Sequence, residues 1–275
     1  EGLMSAASKS KKLRVHTGTH FHPFHTEEGR LDQLRFFDHW LKGVDNGVML
    51  EPMVYYYTYN EAKGKEWRSS EQWPLPNEKR TAYYLGAKSL GTSKPTEASA
   101  KDDAQVEYAV SMGTTSTTSN PTPKGISYAT EPLDKDVRVT GHPVAELWVS
   151  STATDGDFIA TLQDVAPDGK ITSYNMHGRL RASLRKEADP PYNNLGLPYH
   201  PFNMADVQPL TPNEPTQLRF DLLPISFLFK AGHRIQVTLS FADSVTPRVM
   251  PAPSVSIYRD AMHTSSITLP IIEEP

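Results

Sequence analysis

The sequence predicts a mainly β fold, a β-sandwich or jelly roll preceded by a short strand and helix. Three observations point there. Proline is abundant at 23 residues, alongside 12 Tyr and 10 Phe. Segments rich in Val and Thr lie between the prolines, a texture that favours short strands joined by turns over a helix bundle. Only one stretch carries a convincing helical stripe.

Taken in order, residues 11–16 (KKLRVH) form a strand candidate that runs into a histidine-rich loop, 17–26. Leu31, Leu34, Phe37, Trp40 and Leu41 then recur at three- and four-residue spacing, with Arg30, Asp32, Arg35, Asp38 and Lys42 on other faces. This is an amphipathic helix, and Gly43 suits its C-terminal cap. One strand and one helix cannot bury a core by themselves: the stripe reads either as that of a packed surface helix or, together with the strand, as the end of a larger α/β sheet. After Gly47 the texture turns to β. Strands are expected in segments 53–59, 82–85, 105–110, 137–140, 144–150, 158–165, 171–176, 216–222, 234–241 and 265–271, each bounded by Gly, Pro, Asp or Asn. Roughly ten strands at short spacing suit a sandwich or jelly roll. The clearest hairpin joins FIATLQDV to KITSYNM through Ala166-Pro167-Asp168-Gly169, whose Asp-Gly supplies the positive φ of a tight turn. Segments 86–103, 113–124 and 186–215 read as loops.

Composition narrows the function classes. At 275 residues the chain has room for one large domain or two ordinary ones. A net charge of −4 provides no field that attracts polyanions, so no nucleic-acid partner is expected. No apolar run approaches the ~20 residues of a membrane span, and residues 1–12 have no signal-peptide core. A soluble chain is expected, with no membrane partner. The absence of cysteine removes disulfides and thiolate metal sites. That leaves the compartment open, with cytoplasm favoured over secretion. The chain begins at Glu1 and not at Met, so it is expected to be a piece of a longer protein.

Two chemistries compete for the histidines His16, His20, His22 and His25. The last three have the spacing of a zinc-hydrolase motif, but Phe24 stands where that motif has a second-metal Asp, and no cysteine follows downstream. No metal is expected. The other chemistry is general-base catalysis, in which an imidazole takes a proton from a serine hydroxyl and returns it to the leaving group. In α/β-hydrolases the chain order is Ser, Asp, His, which places the histidine after the last strand and before the closing helix. His20 occupies that place. Asp155, Asp157, Asp164 and Asp168 lack an EF-hand spacing and read as turn residues, not calcium ligands.

Several segments together resemble the CocE/NonD hydrolases, a family that includes cocaine esterase, glutaryl acylases, α-amino-acid ester hydrolases and X-Pro dipeptidyl-peptidases. LRVHTGTH followed by RFFDHWLKG is similar to that family's strand, catalytic-histidine loop and closing helix. EWRSSEQWPLP with YYL resembles the entry to its C-terminal domain. ISYATEPL, VTGHPVAELWVSSTATDGDFIATLQDVAPDG, FKAGHRIQVTLSFAD and SSITLPII follow in the family's order. The resemblance implies a galactose-binding-like jelly roll over residues 47–275 and the tail of an α/β-hydrolase domain over residues 1–46. It aligns His20 with the catalytic histidine, although Gly18-Thr19 stand where the family usually has Pro-Trp-Ser. Gly232, His233 and Arg234 match a family segment and read as structural, with Arg234 paired to a carboxylate. No Gly-x-Ser-x-Gly occurs in the chain, and a histidine base without a nucleophile has nothing to activate. The expectation is therefore a C-terminal fragment of a serine hydrolase for a small ester or amide substrate, inactive alone and without a cofactor. Its partner would be the missing N-terminal α/β-hydrolase portion, and self-association is left open. The competing reading is a carbohydrate-binding or adhesion sandwich.

Overall fold

The computed structural model describes residues 2–17, 21–108, 125–174, 176–243 and 246–273. The chain divides into two compact units, Glu1–Pro76 and Asn77–Pro275. The segment 113–124, expected to be a loop, lies outside the described residues.

In the first unit, β1 (Leu13–Val15) pairs in parallel with β2 (Val54–Tyr57), and β2 pairs antiparallel with β3 (Trp67–Ser70). Two four-residue helices, α1 (Gly2–Ser5) and α2 (His22–His25), precede α3 (Glu27–Lys42), the amphipathic helix expected from the 3.6-residue spacing. Its start is one turn earlier than the apolar stripe suggested, because Thr26 caps it by accepting from Gly29 N–H at 3.1 Å and Glu27 and Glu28 fill the first turn. That chemistry satisfies an orphan donor and complements the helix dipole. Gly43 ends the helix at φ 70°, with its N–H on His39 O and the Val44 N–H on Asp38 O, a paired left-handed cap. β2 and β3 therefore join β1, and the sandwich strands begin at Glu78.

The second unit is a jelly-roll-type sandwich of two antiparallel sheets. The smaller runs β11 (Ile171–Thr172), β10 (Asp157–Val165), β15 (Arg234–Ser240), β7 (Ile126–Ala129), with β12 (His177–Arg181) also on β10. The larger runs β14 (Ile225–Phe229), β8 (Val137–Gly141), β17 (Ser266–Ile272), β9 (Val144–Ser151), β16 (Ser254–Tyr258), β6 (Lys101–Gln105). It is extended by β13 (Thr216–Asp221) on β9, by β4 (Glu78–Leu85) on β17 and by β5 (Leu90–Gly91) on β4. One edge of β9 is matched to β13 along Val144–Val149, while its other edge is shared between β17 and β16. Where that edge changes partner, the Trp148 N–H donates to Ser265 Oγ at 2.9 Å, so the gap leaves no orphan donor. Leu218, Leu222, Phe229, Ile235, Ile257 and Leu269 are fully buried in the core.

The strand expectations are corrected at several places. The strand expected at 105–110 lies at Lys101–Gln105. Segments 67–70, 126–129, 177–181, 225–229 and 254–258 also form strands that periodicity passed over, because each is short or reads as continuous apolar or polar sequence and not as alternation. The 166–169 turn forms as expected, with Gly169 at φ 85°, its N–H on Ala166 O, and the Lys170 N–H held by Asp168 Oδ1 at 2.9 Å. Beyond the turn the second arm breaks. Val165 faces Ile171 and Asp164 faces Thr172, but Thr161 then faces His177, so the second arm carries two extra residues before β12 resumes. Within that break the Leu162 N–H donates to Met176 O at 2.7 Å.

Candidate functional site

The first unit holds an open cleft of about 710 Å³, lined by Lys12, Arg14, Asp32, Glu51, Tyr55 and Trp67 among others. Its geometry follows from strand alternation. Arg14 faces Tyr55 across the β1–β2 pair, and Tyr57 faces Trp67 across β2–β3, so the long cationic and aromatic side chains collect on one face. The Arg14 guanidinium lies over the Tyr55 ring at 5.0 Å, and that ring stacks on Trp67 at 4.9 Å and 4°. Glu51 is the electrostatic centre. It bonds Arg14 and accepts from Arg35 at 2.6 Å, while Arg14 Nε also lies 3.4 Å from Asp32. Burial works to raise the Glu51 carboxyl, but the guanidinium of Arg35 and then that of Arg14 outweigh it and hold the group below the usual carboxylate range. This network spans 37 residues of sequence and ties the strand to α3. Nothing in the local pattern signals it.

His20 lies outside the described residues, and so does the side chain of His22. His16 lines the cleft, His25 is exposed with its ring 5.8 Å from Phe21, and His39 puts Nδ1 3.1 Å from Val44 O at the end of α3. Among the described residues no group of three acids or histidines converges as a metal site. As described, the cleft is lined by charged and aromatic side chains.

The acids considered as turn residues separate into two kinds. Asp168 does serve its turn, and Asp155 receives the Gly156 N–H, the Ser183 N–H and the Ser183 hydroxyl. Asp157 and Asp164 instead lie within β10 and are buried. Asp157 takes bonds from Arg181 and Arg179 at 2.8 to 3.1 Å. Burial pushes its pKa up, the two guanidiniums and Thr246 pull it down, and the result is a lowered value. Asp164 meets His233 at 2.9 Å, with a weaker pull from Lys230, and there burial wins and raises it. Gly232 forms its turn at φ 80°, but Arg234 donates chiefly to Thr130 O at 2.7 Å, with Glu131 beyond at 3.4 Å. The residue of that segment that meets a buried carboxylate is His233, itself half-buried. A histidine between Gly and Arg at a strand start gave no sequence signal for this.

A family model described as the X-Pro dipeptidyl-peptidase C-terminal non-catalytic domain matches residues 46–263. The chain belongs to that family. The match opens just past the left-handed cap of α3, and its description as non-catalytic agrees with a sandwich that carries no Gly-x-Ser-x-Gly. A Mycobacterium bovis protein that carries the name of a serine esterase is 37% identical over 259 residues, 87% of this chain and 40% of its own length. The cocaine esterase of a Rhodococcus species is 28% identical over 277 residues, 86% of this chain and 45% of its length. The chain thus spans less than half of these relatives. A CocE/NonD family hydrolase from Staphylococcus aureus superposes with a TM-score of 0.80 at 23% identity, over 98% of this chain and 51% of that one, a likeness of fold. These relatives carry the names of a serine esterase, a cocaine esterase and a CocE/NonD family hydrolase, and the family model is described as a C-terminal, non-catalytic domain.

Proposed function

We propose that this chain is the C-terminal portion of a serine hydrolase acting on esters or amides, of the acylase, esterase or X-Pro dipeptidyl-peptidase type. Residues 1–46 complete the catalytic domain and residues 47–275 form the accessory domain, whose sandwich strands begin at Glu78. The family match over residues 46–263 is the observation that carries this reading. His20 is the general base: its imidazole takes the serine proton as the hydroxyl attacks the carbonyl carbon and returns that proton to the leaving alkoxide or amine. The serine, the acid that orients His20 and the oxyanion donors belong to upstream sequence, so the isolated chain is inactive. The apolar stripe of α3 supports a cover from that upstream portion: Leu31, Leu34, Phe37, Trp40 and Leu41 are 48 to 77% exposed, and no residue of the helix is buried. Among the described residues no helix is long and apolar enough to cross a membrane, and a cytoplasmic location belongs to this proposal.

The test is made on the longer protein and on this chain side by side. The longer protein should hydrolyse chromogenic acyl esters or X-Pro amides, and His20→Ala in it should lower turnover by roughly 10³ or more with unchanged circular dichroism. Near-normal turnover in that variant removes His20 from the mechanism. Labelling of the isolated chain by a fluorophosphonate serine probe would show that the nucleophile is within it after all.

A further inference from the structure

At one end of the sandwich, strand ends from both sheets surround a small pocket. β6 and β9 finish there at Gln105 and Ser151 and β16 starts at Ser254, while β10 starts at Asp157 and β12 and β15 finish at Arg181 and Ser240. The pocket has a volume of about 80 Å³ and apolar walls that include Val106, Phe158, Phe241, Val249 and Val255. Backbone bonds brace its rim: Val106 N–H to Pro253 O at 2.8 Å, Thr152 N–H to Ser254 O at 3.0 Å and Ala182 N–H to Gly156 O at 2.9 Å. The Phe158 and Phe241 rings meet edge to face at 5.7 Å. The pocket is thus shaped by the sheets and lies wholly within the second unit.

Its polar groups are unevenly used. The carboxylates are engaged: Asp157 by Arg179 and Arg181 at 2.8 to 3.1 Å, and Asp155 by the Gly156 N–H, the Ser183 N–H and the Ser183 hydroxyl at 2.8 to 2.9 Å. The Thr246 hydroxyl donates to Asp243 at 2.9 Å. Among the described residues, three donors that line the pocket are left over. Ser151 Oγ accepts from the Ala153 N–H at 3.1 Å, and Tyr108 Oη accepts from the Val249 N–H at 3.0 Å, so each still has its hydroxyl hydrogen to give. Arg181 gives Nε and Nη2 to Asp157 and keeps Nη1. Tyr108 and Arg181 are partly exposed, but Ser151 is 3% exposed, on the same face of β9 as the fully buried Val149. A buried hydroxyl with no acceptor carries a desolvation cost that an acceptor brought into the pocket removes.

The charges beside the pocket cancel. Asp155, Asp157 and Asp243 are answered by Arg179, Arg181 and Arg185, so an ion of either sign gains no net attraction there. Spare donors without spare charge suit a neutral acceptor. Apolar walls suit an alkyl group beside it, and a volume of about 80 Å³, near that of three waters at ~30 Å³ each in the liquid, limits the guest to a short one. We propose that this pocket is a binding site for a small neutral carbonyl compound with an acceptor and no strong donor, a short-chain ketone or ester. Its carbonyl oxygen accepts from the Ser151 hydroxyl and its alkyl end lies against Val106, Phe158 and Val255.

The experiment uses this 275-residue chain, with butanone as the probe. Titration followed in methyl carbon–proton correlation spectra should move the Val106, Val249 and Val255 methyls along saturable curves with midpoints in the millimolar range, as a guest this small allows. Propionate and sec-butylammonium, matched in size but charged, should bind at least about tenfold more weakly, because the apolar walls do not repay the loss of their hydration. Ser151→Ala keeps the walls and removes the hydroxyl, and should weaken butanone binding about fivefold or more. Methyl shifts that grow linearly with butanone and never saturate overturn the proposal. So does either ion binding as tightly as butanone, and so does a folded Ser151→Ala chain that binds butanone unchanged. If Ser151→Ala does not fold, saturation and the comparison with the two ions in the unaltered chain still decide it.

Discussion

The two units of this chain bury their apolar residues to very different extents. In Asn77–Pro275 the strands contribute Phe158, Leu162, Leu218, Phe229, Ile257 and Leu269 to a core in which each is 1% exposed or less. In Glu1–Pro76 only Val48, Val54, Tyr56 and Leu75 are buried apolar residues among those described, and the strongest apolar pattern in the sequence, along α3, remains open to solvent. The first unit is held instead by local devices: Thr26 and Gly43 at the ends of α3, the Arg14–Glu51–Arg35 network, and the Tyr55–Trp67 stack. Ion pairs and caps each contribute on the order of 1 kcal/mol, whereas a buried aromatic contributes several. The sandwich therefore has its own source of stability, and the N-terminal unit has an unspent hydrophobic surface.

The sharpest test of this contrast replaces one phenylalanine in each unit. Phe229→Ala, at 0% exposure, should destabilise the chain by about 3 to 5 kcal/mol in urea denaturation, while Phe37→Ala, at 50%, should change it by less than about 0.5 kcal/mol. Equal losses would mean that α3 is part of the same cooperative core. In the longer protein the Phe37→Ala cost should rise if the upstream portion covers the stripe.

Next in size are the two buried carboxylates of β10. Asp157, held low by two arginines, stabilises the fold above its unfolded value near 3.8, and that contribution is lost as pH falls through its lower folded value. Removing its charge while both arginines remain should cost about 3 kcal/mol at pH 7, measured as Asp157→Asn by urea denaturation. Asp164, raised by burial, has the opposite sign: its folded form gains relative stability as pH falls through the raised value toward 3.8. Asp164→Asn should therefore remove an acid-side gain, whereas Asp157→Asn removes an acid-side loss. Identical pH slopes for the two variants between pH 3 and 7 would contradict the assignment.

The smallest effect concerns a cap. Gly43→Ala meets no atom within 4 Å but must hold φ of 70°, which costs about 1 kcal/mol in backbone strain. It should fray the last turn of α3, seen as lost helical ellipticity near 222 nm, and leave the unfolding of the sandwich unchanged.

Much of this was legible in the sequence where the signal is local. The α3 stripe and its Gly43 stop, the Asp168-Gly169 turn, and the alternating strands 137–141, 144–151 and 234–240 are each specified by residues within a few positions of one another, because helix periodicity, strand alternation and positive-φ turns are properties of adjacent backbone. The order of family-like segments was likewise visible along the chain. What only the tertiary structure decided is which edges meet. β17 pairs with β4, joining Ile272 to Glu78, and β9 divides one edge between β16 and β17. β10 passes from β11 to β12 across a two-residue slip, and Arg14 finds Glu51 and Arg35. A strand's backbone donors and acceptors are the same whatever its neighbour, so its own sequence cannot name its partner. A carboxylate such as Asp157 or Asp164 likewise shows nothing locally of the arginines or the histidine that determine its charge. Those choices are made by the burial of whole sheets at once, and only the folded chain records them.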